Sequence, residues 1–134
     1  MKPSGLDEGR RWMAQAERDL DAAELLAGGK HFNLACFHAQ QAAEKAVKAF
    51  LYAQGVEDPW GHSVGQLLED ARSFDVRFAD VVHVGALLDK FYIPTRYPNG
   101  LPGGIPSSAY SEQEAQEAMH KAREILRAMA ERMR

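Results

Sequence analysis

The chain has a single cysteine, Cys36, so it can form no disulfide within itself. One cysteine and five scattered histidines also leave no ligand spacing for a zinc site. No P-loop or Rossmann glycine pattern occurs: the Gly-rich run at 100–104, GLPGG, is not followed by Lys and Ser or Thr. Nothing resembles the strained serine turn of a hydrolase. No stretch approaches the roughly 18 apolar residues of a membrane span, and the start, MKPSGLDEGRRW, lacks the apolar centre of a signal peptide. Positive charge is not in excess, since 16 Lys and Arg face 19 Asp and Glu for a net −3. A polyanion would therefore have to meet a local patch, not the field of the whole chain. Together these absences point to a cytoplasmic protein with no metal, no cofactor and no announced conventional enzyme chemistry.

What is present is helix. The 134 residues fit one domain, 1–134, with 46% hydrophobic and 26% charged residues. The stretch Asn33 to Gln54 is free of Gly and Pro and rich in Ala, which predicts a helix of about six turns. At 3.6 residues per turn, Ala39, Ala43, Ala46, Val47 and Phe50 share one side. His38, Gln41, Lys45, Lys48 and Tyr52 fall within an arc of roughly 80° on another. A helix apolar on one side and Ala-lined and polar on another is expected to be packed on both. This makes it the centre of a bundle, its polar stripe turned to a partner or ligand. Cys36, inside it, reads as a small core residue.

After a loose start at Met1–Leu6, a first helix is expected over Asp7–Ala27, stopping at Gly28-Gly29. Its apolar face carries one acid, Asp19, which must either reach water at the rim or pair with a base from another helix. Asp58-Pro59 marks a turn. A short helix then runs from Val64 to about Phe74, with Ser63 as N-cap. Another covers about Val76–Tyr92, with Asp89 again intruding on the apolar face. Ile93–Tyr110 holds prolines at 94, 98, 102 and 106 and should be a long loop. Ser111 with Glu114 forms a capping box that opens the last helix, to about Met133. Five helical segments and no strand give an all-α up-and-down bundle of four to five helices.

The candidate site gathers His38, Gln41, Lys45 and Lys48 from the central helix with Asp89, Tyr92, Arg96 and Tyr97 from the segment leading into the loop. Arg suits bidentate contact with phosphate or carboxylate, Tyr offers a stacking surface, and the lysines at i and i+3 present two positive ends. These residues are expected to converge in one groove beside the central helix and hold a nucleotide or RNA phosphate against an aromatic ring. The alternative is an internal network, Asp19 with Lys45 and Asp89 with Arg96, that pins the loop to the bundle.

The same residues resemble the HEPN domain family over most of the chain. The likeness lies in Trp12, Ala16 and Asp19-Leu20, in AQQAAEKAVKAFL from Ala39 to Leu51, in His62 with Leu67-Leu68, and in Leu88-Asp89 through Tyr92-Ile-Pro-Thr-Arg96-Tyr97-Pro98. The resemblance implies a bundle that forms a homodimer, works at or near the dimer cleft, and partners a minimal nucleotidyltransferase as a two-component system. It also implies nucleotide binding or, in many members, metal-independent RNA cleavage by an Arg followed after four to six residues by a His. In that scheme the His serves as acid or base on the 2′-hydroxyl and the Arg steadies the phosphate. After Arg96 the corresponding positions are Leu101, Pro102 and Gly103. The only pair with the spacing is Arg77 and His83, so the resemblance carries binding and dimerisation, and nuclease activity stands as the alternative.

Overall fold

The computed structural model describes residues 4–133. The order is α1 (Gly5–Gly28), α2 (Phe32–Ala53), α3 (Val64–Arg72), α4 (Ala79–Leu88) and α5 (Glu112–Glu131), with short 3-10 turns between them and no strand among the described residues. The fold is the expected all-α bundle. No helix among the described residues is long and apolar enough to cross a membrane.

Local chemistry sets the ends. Ser4 accepts from the Asp7 amide at 3.1 Å and Asp7 and Glu8 sit in the first turn, so α1 opens two residues before the expected Asp7. The rest of the expected loose start, Met1–Pro3, lies outside the described residues. Ser63 caps α3, and the Ser111–Glu114 capping box opens α5. The expected Val76–Tyr92 helix is divided into a 3-10 turn at Val76–Phe78, α4, and a second 3-10 turn at Asp89–Phe91. Pro94 is one reason, because a proline cannot continue the ladder and biases the residue before it away from helix.

α1 and α2 form an antiparallel hairpin with the most extensive interface in the molecule. Their backbones touch: a Cβ on Gly9 would lie 2.5 Å from the Ala49 carbonyl oxygen, so only glycine fits there. The buried row Ala39, Ala42, Ala46 and Ala49 on α2 permits that approach. α5 lies across both helices, burying Met119, Ile125 and Met129. α3 and α4 pack on each other and close the remaining side of α2. The loop after α4 is tied back over the start of α2, where the Asn33 side chain donates to the Thr95 carbonyl at 2.9 Å. Cys36 is fully buried, and burial, with a smaller contribution from Glu114, pushes its thiol up to about 12.

Candidate functional site

The polar stripe of α2 meets α1 first. Lys45 donates to the Asp19 carboxylate at 2.5 Å, and Gln15 donates to its other oxygen at 2.8 Å. Asp19 is only 8% exposed, so it does not reach water at a rim; it is the paired acid of the two readings. His38 lies near this pair. Burial lowers its pKa, and Lys45 adds to that against the opposing pull of Asp19, which favours a neutral imidazole.

Beside Lys45 in the chain, Glu44 is buried and accepts from Lys48 at 3.2 Å and from the Gln41 amide at 3.3 Å. The His62 Nδ1 lies 3.4 Å from the same carboxylate. Lys48 is itself buried, its ammonium 5.8 Å from the centre of the Trp12 ring. Glu44 and His62 were not among the candidates. The available signal was the i, i+4 spacing of Glu44 and Lys48 on one helix.

Asp89 has a different partner from the one expected in the internal network. It accepts from the Ser63 hydroxyl at 2.7 Å and from the backbone amides of Val64 and Gly65 at 2.6 and 3.0 Å. It therefore satisfies the first turn of α3 and makes no bond to Arg96. Three converging donors at a helix start, on the positive end of the helix dipole, hold this carboxylate. The close packing of Gly85 against Val64 and Leu68 brings α4 near enough for that bond.

Arg96 is left among aromatic rings. Its Nε donates to the Tyr92 carbonyl at 2.9 Å, and its guanidinium lies 4.2 Å from the centre of Phe37 and 5.0 Å from both Tyr92 and Tyr97. No carboxylate among the described residues pairs with it. His62 stacks on the Tyr92 ring at 5.1 Å and an interplanar angle of 17°. Phe37 is a further site residue that sequence reasoning missed.

Lys45, Asp89 and Arg96 thus do not meet in one groove as expected. Lys45 is closed by α1, Asp89 is spent on α3, and Arg96 stands in an aromatic box. Between the Glu44–Lys48 pair and the aromatic box runs a row along α2 (Phe37, Gln41, Glu44, Lys48 and Tyr52), with His62 bridging Glu44 to Tyr92. Arg77, of the alternative pair, has its fork on Asp75, with Nη2 to Oδ2 at 2.6 Å and Nε to Oδ1 at 2.9 Å. Arg77 holds the Asp75 carboxyl well below the usual carboxylate range, and Arg132 adds to the effect. His83 is exposed on α4.

Comparison with known proteins places this arrangement. The HEPN domain model matches residues 10–133. Among solved structures, TT1696 from Thermus thermophilus is 41% identical, superposes with a TM-score of 0.87, and is matched over 93% of this chain and 98% of that one. ST0689, described as an archaeal HEPN homologue, is 38% identical with a TM-score of 0.80 over the full length of both chains. An HEPN domain protein from Thermotoga maritima is 33% identical with a TM-score of 0.72, over 90% of this chain and 95% of that one. A Methanocaldococcus jannaschii protein described as "Putative toxin MJ1304" is 25% identical, over 86% of this chain and 81% of its own length. With a family model spanning nearly the whole bundle and solved relatives of the same fold, the chain belongs to the HEPN domain family.

Proposed function

We propose that this protein is a non-catalytic HEPN binding module whose ligand contact is an anionic group on Arg96. One observation carries the reading. Lys45 and Lys48 are each neutralised by a carboxylate within hydrogen-bond distance, whereas Arg96 has aromatic faces around it and no acid among the described residues. A guanidinium fixed on ring faces keeps its outward N–H groups for a phosphate or carboxylate. The ligand is a nucleotide, or an acidic surface of a minimal nucleotidyltransferase with which the protein works, as a homodimer, in a toxin-antitoxin-like pair. The toxin description of the archaeal relative supports the second half of that statement. Calorimetry with ATP, GTP and short single-stranded RNA tests the ligand, and Arg96→Ala is expected to abolish the heat. Unchanged binding in that variant would reject the site.

A second reading is RNA cleavage by Arg77 and His83, the pair with the Arg-to-His spacing; the toxin description of the same relative is compatible with it. Incubating the purified protein with total RNA in the absence of metal decides it: cleavage lost in His83→Ala would establish the pair. Against this reading stands the commitment of the Arg77 fork to Asp75.

A further inference from the structure

Both tryptophans of the chain border one cleft. It has a volume of about 540 Å³ and lies between α1 and the connection from α2 to α3, with Trp12, Tyr52, Trp60 and His62 on its walls. Trp60 is 86% exposed, yet the chain around it is fastened down. Pro59 is buried beside it, and Gly61 follows at φ +104°, a conformation that favours glycine. The next residue is then held at both ends, its carbonyl accepting from Gln40 at 2.9 Å and its ring against Glu44 and Tyr92. An exposed indole therefore stands on a fastened backbone at the edge of a cleft whose other aromatic walls are Trp12, Tyr52 and His62.

The charges of the cleft describe its occupant. The Lys48 ammonium at the wall is already neutralised by Glu44, and the first amides of α3 are taken by Asp89 and Ser63. Among the residues lining the cleft, no free cation or helix start is left to hold an anion. Asp58, by contrast, lines the cleft and has no hydrogen-bond or ion-pair partner among the described residues. Flat aromatic walls with one unused carboxylate suit a flat ring that donates hydrogen bonds. We infer that this cleft binds a planar heteroaromatic ring bearing an exocyclic amino group, the base of an adenosine, cytidine or guanosine unit, stacked on Trp60 with its amino group toward Asp58. The inference deepens the nucleotide reading above and rests on it for the ligand class, while placing the base at a site that does not include Arg96.

Because Trp12 and Trp60 are the only tryptophans and both border the cleft, intrinsic fluorescence reports on it, and Trp60, which lines no other pocket among the described residues, assigns the signal to this place. Titrating the full chain with adenosine and cytidine, which carry no phosphate, is expected to quench it. Trp60→Ala should weaken adenosine binding at least about fivefold, as loss of one base–aromatic stack does. Trp60→Phe, read through Trp12, should retain binding. Uridine, lacking the amino group, should bind more weakly than cytidine. No quenching by either nucleoside would overturn the inference, as would adenosine affinity unchanged in Trp60→Ala, equal affinity for uridine and cytidine, or quenching by choline alone. Heat from ATP that depends on Arg96 while adenosine is silent would sink the cleft and leave the Arg96 reading standing. Calorimetric heat from adenosine that is lost in Trp60→Ala, with ATP heat indifferent to Arg96→Ala, would support the cleft and end that reading.

Discussion

Toward α1, the polar face of α2 is a set of closed ionic pairs; toward the loop before α5, it ends at a cation with no acid beside it among the described residues. Lys45 with Asp19 and Lys48 with Glu44 have side chains between 5% and 27% exposed, and each charge is answered within the fold. Arg96, raised on Phe37, Tyr92 and Tyr97, answers to none among the described residues. The difference teaches that a basic residue on a candidate surface is informative only once its counter-charge is known. At one end of this face the positive residues stabilise the fold, and at the other a positive residue is left for something outside it.

The largest expected effect breaks the closed end. Glu44→Ala would leave Lys48 buried without its carboxylate, which costs about 3–5 kcal/mol when a buried pair loses one partner. Urea denaturation measures it, and adding Lys48→Met should recover much of the loss. A cost below about 1 kcal/mol would show that Lys48 escapes to water. Next comes Asp89→Ala, which removes the acceptor for three donors at the start of α3 and should cost about 1–2 kcal/mol. Arg96→Ala should not reproduce that loss, because the two side chains are not partners.

Asp89 also shows what the sequence could and could not say. An acid on an apolar helix face is visible as an anomaly in one dimension, and both Asp19 and Asp89 were visible in that way. Their partners were not equally visible. Asp19 faces a helix joined to its own by a short link, so Lys45 was among the natural choices. Asp89 caps a different helix only because α4 packs on α3 at Gly85, a contact that no local pattern encodes. Glu44 was missed for a related reason: it is buried partly because the α2–α3 connection returns over it with His62. The capping box at Ser111 and the Ala-rich α2 were legible because their causes lie within a few residues. The aromatic box was half legible, since Tyr92, Arg96 and Tyr97 are near in sequence while Phe37 comes from across the fold.

A smaller effect tests the surroundings of the closed pairs through pH. His38 has its pKa lowered in the fold, so the unfolded chain binds its proton first as pH falls. The contribution of the neutral imidazole is present above the unfolded value near 6.5 and is lost as pH drops through the lower folded value. Thermal unfolding of His38→Gln should therefore be flatter with pH below about 6.5 than that of the unsubstituted protein. Parallel curves would mean that His38 does not feel this environment.

The smallest change in stability is expected at Arg96, and there the comparison is most exposed. Arg96→Ala should leave the folding free energy within about 1 kcal/mol of the unsubstituted protein, because it removes no ion pair and orphans no buried charge. ATP titrated calorimetrically into the unsubstituted protein, Arg96→Ala and Lys45→Ala sets the unpaired cation directly against a paired one. The account predicts that heat disappears in Arg96→Ala and persists in Lys45→Ala, whose loss is confined to stability. Heat that persists in Arg96→Ala and vanishes in a still-folded Lys45→Ala would contradict it.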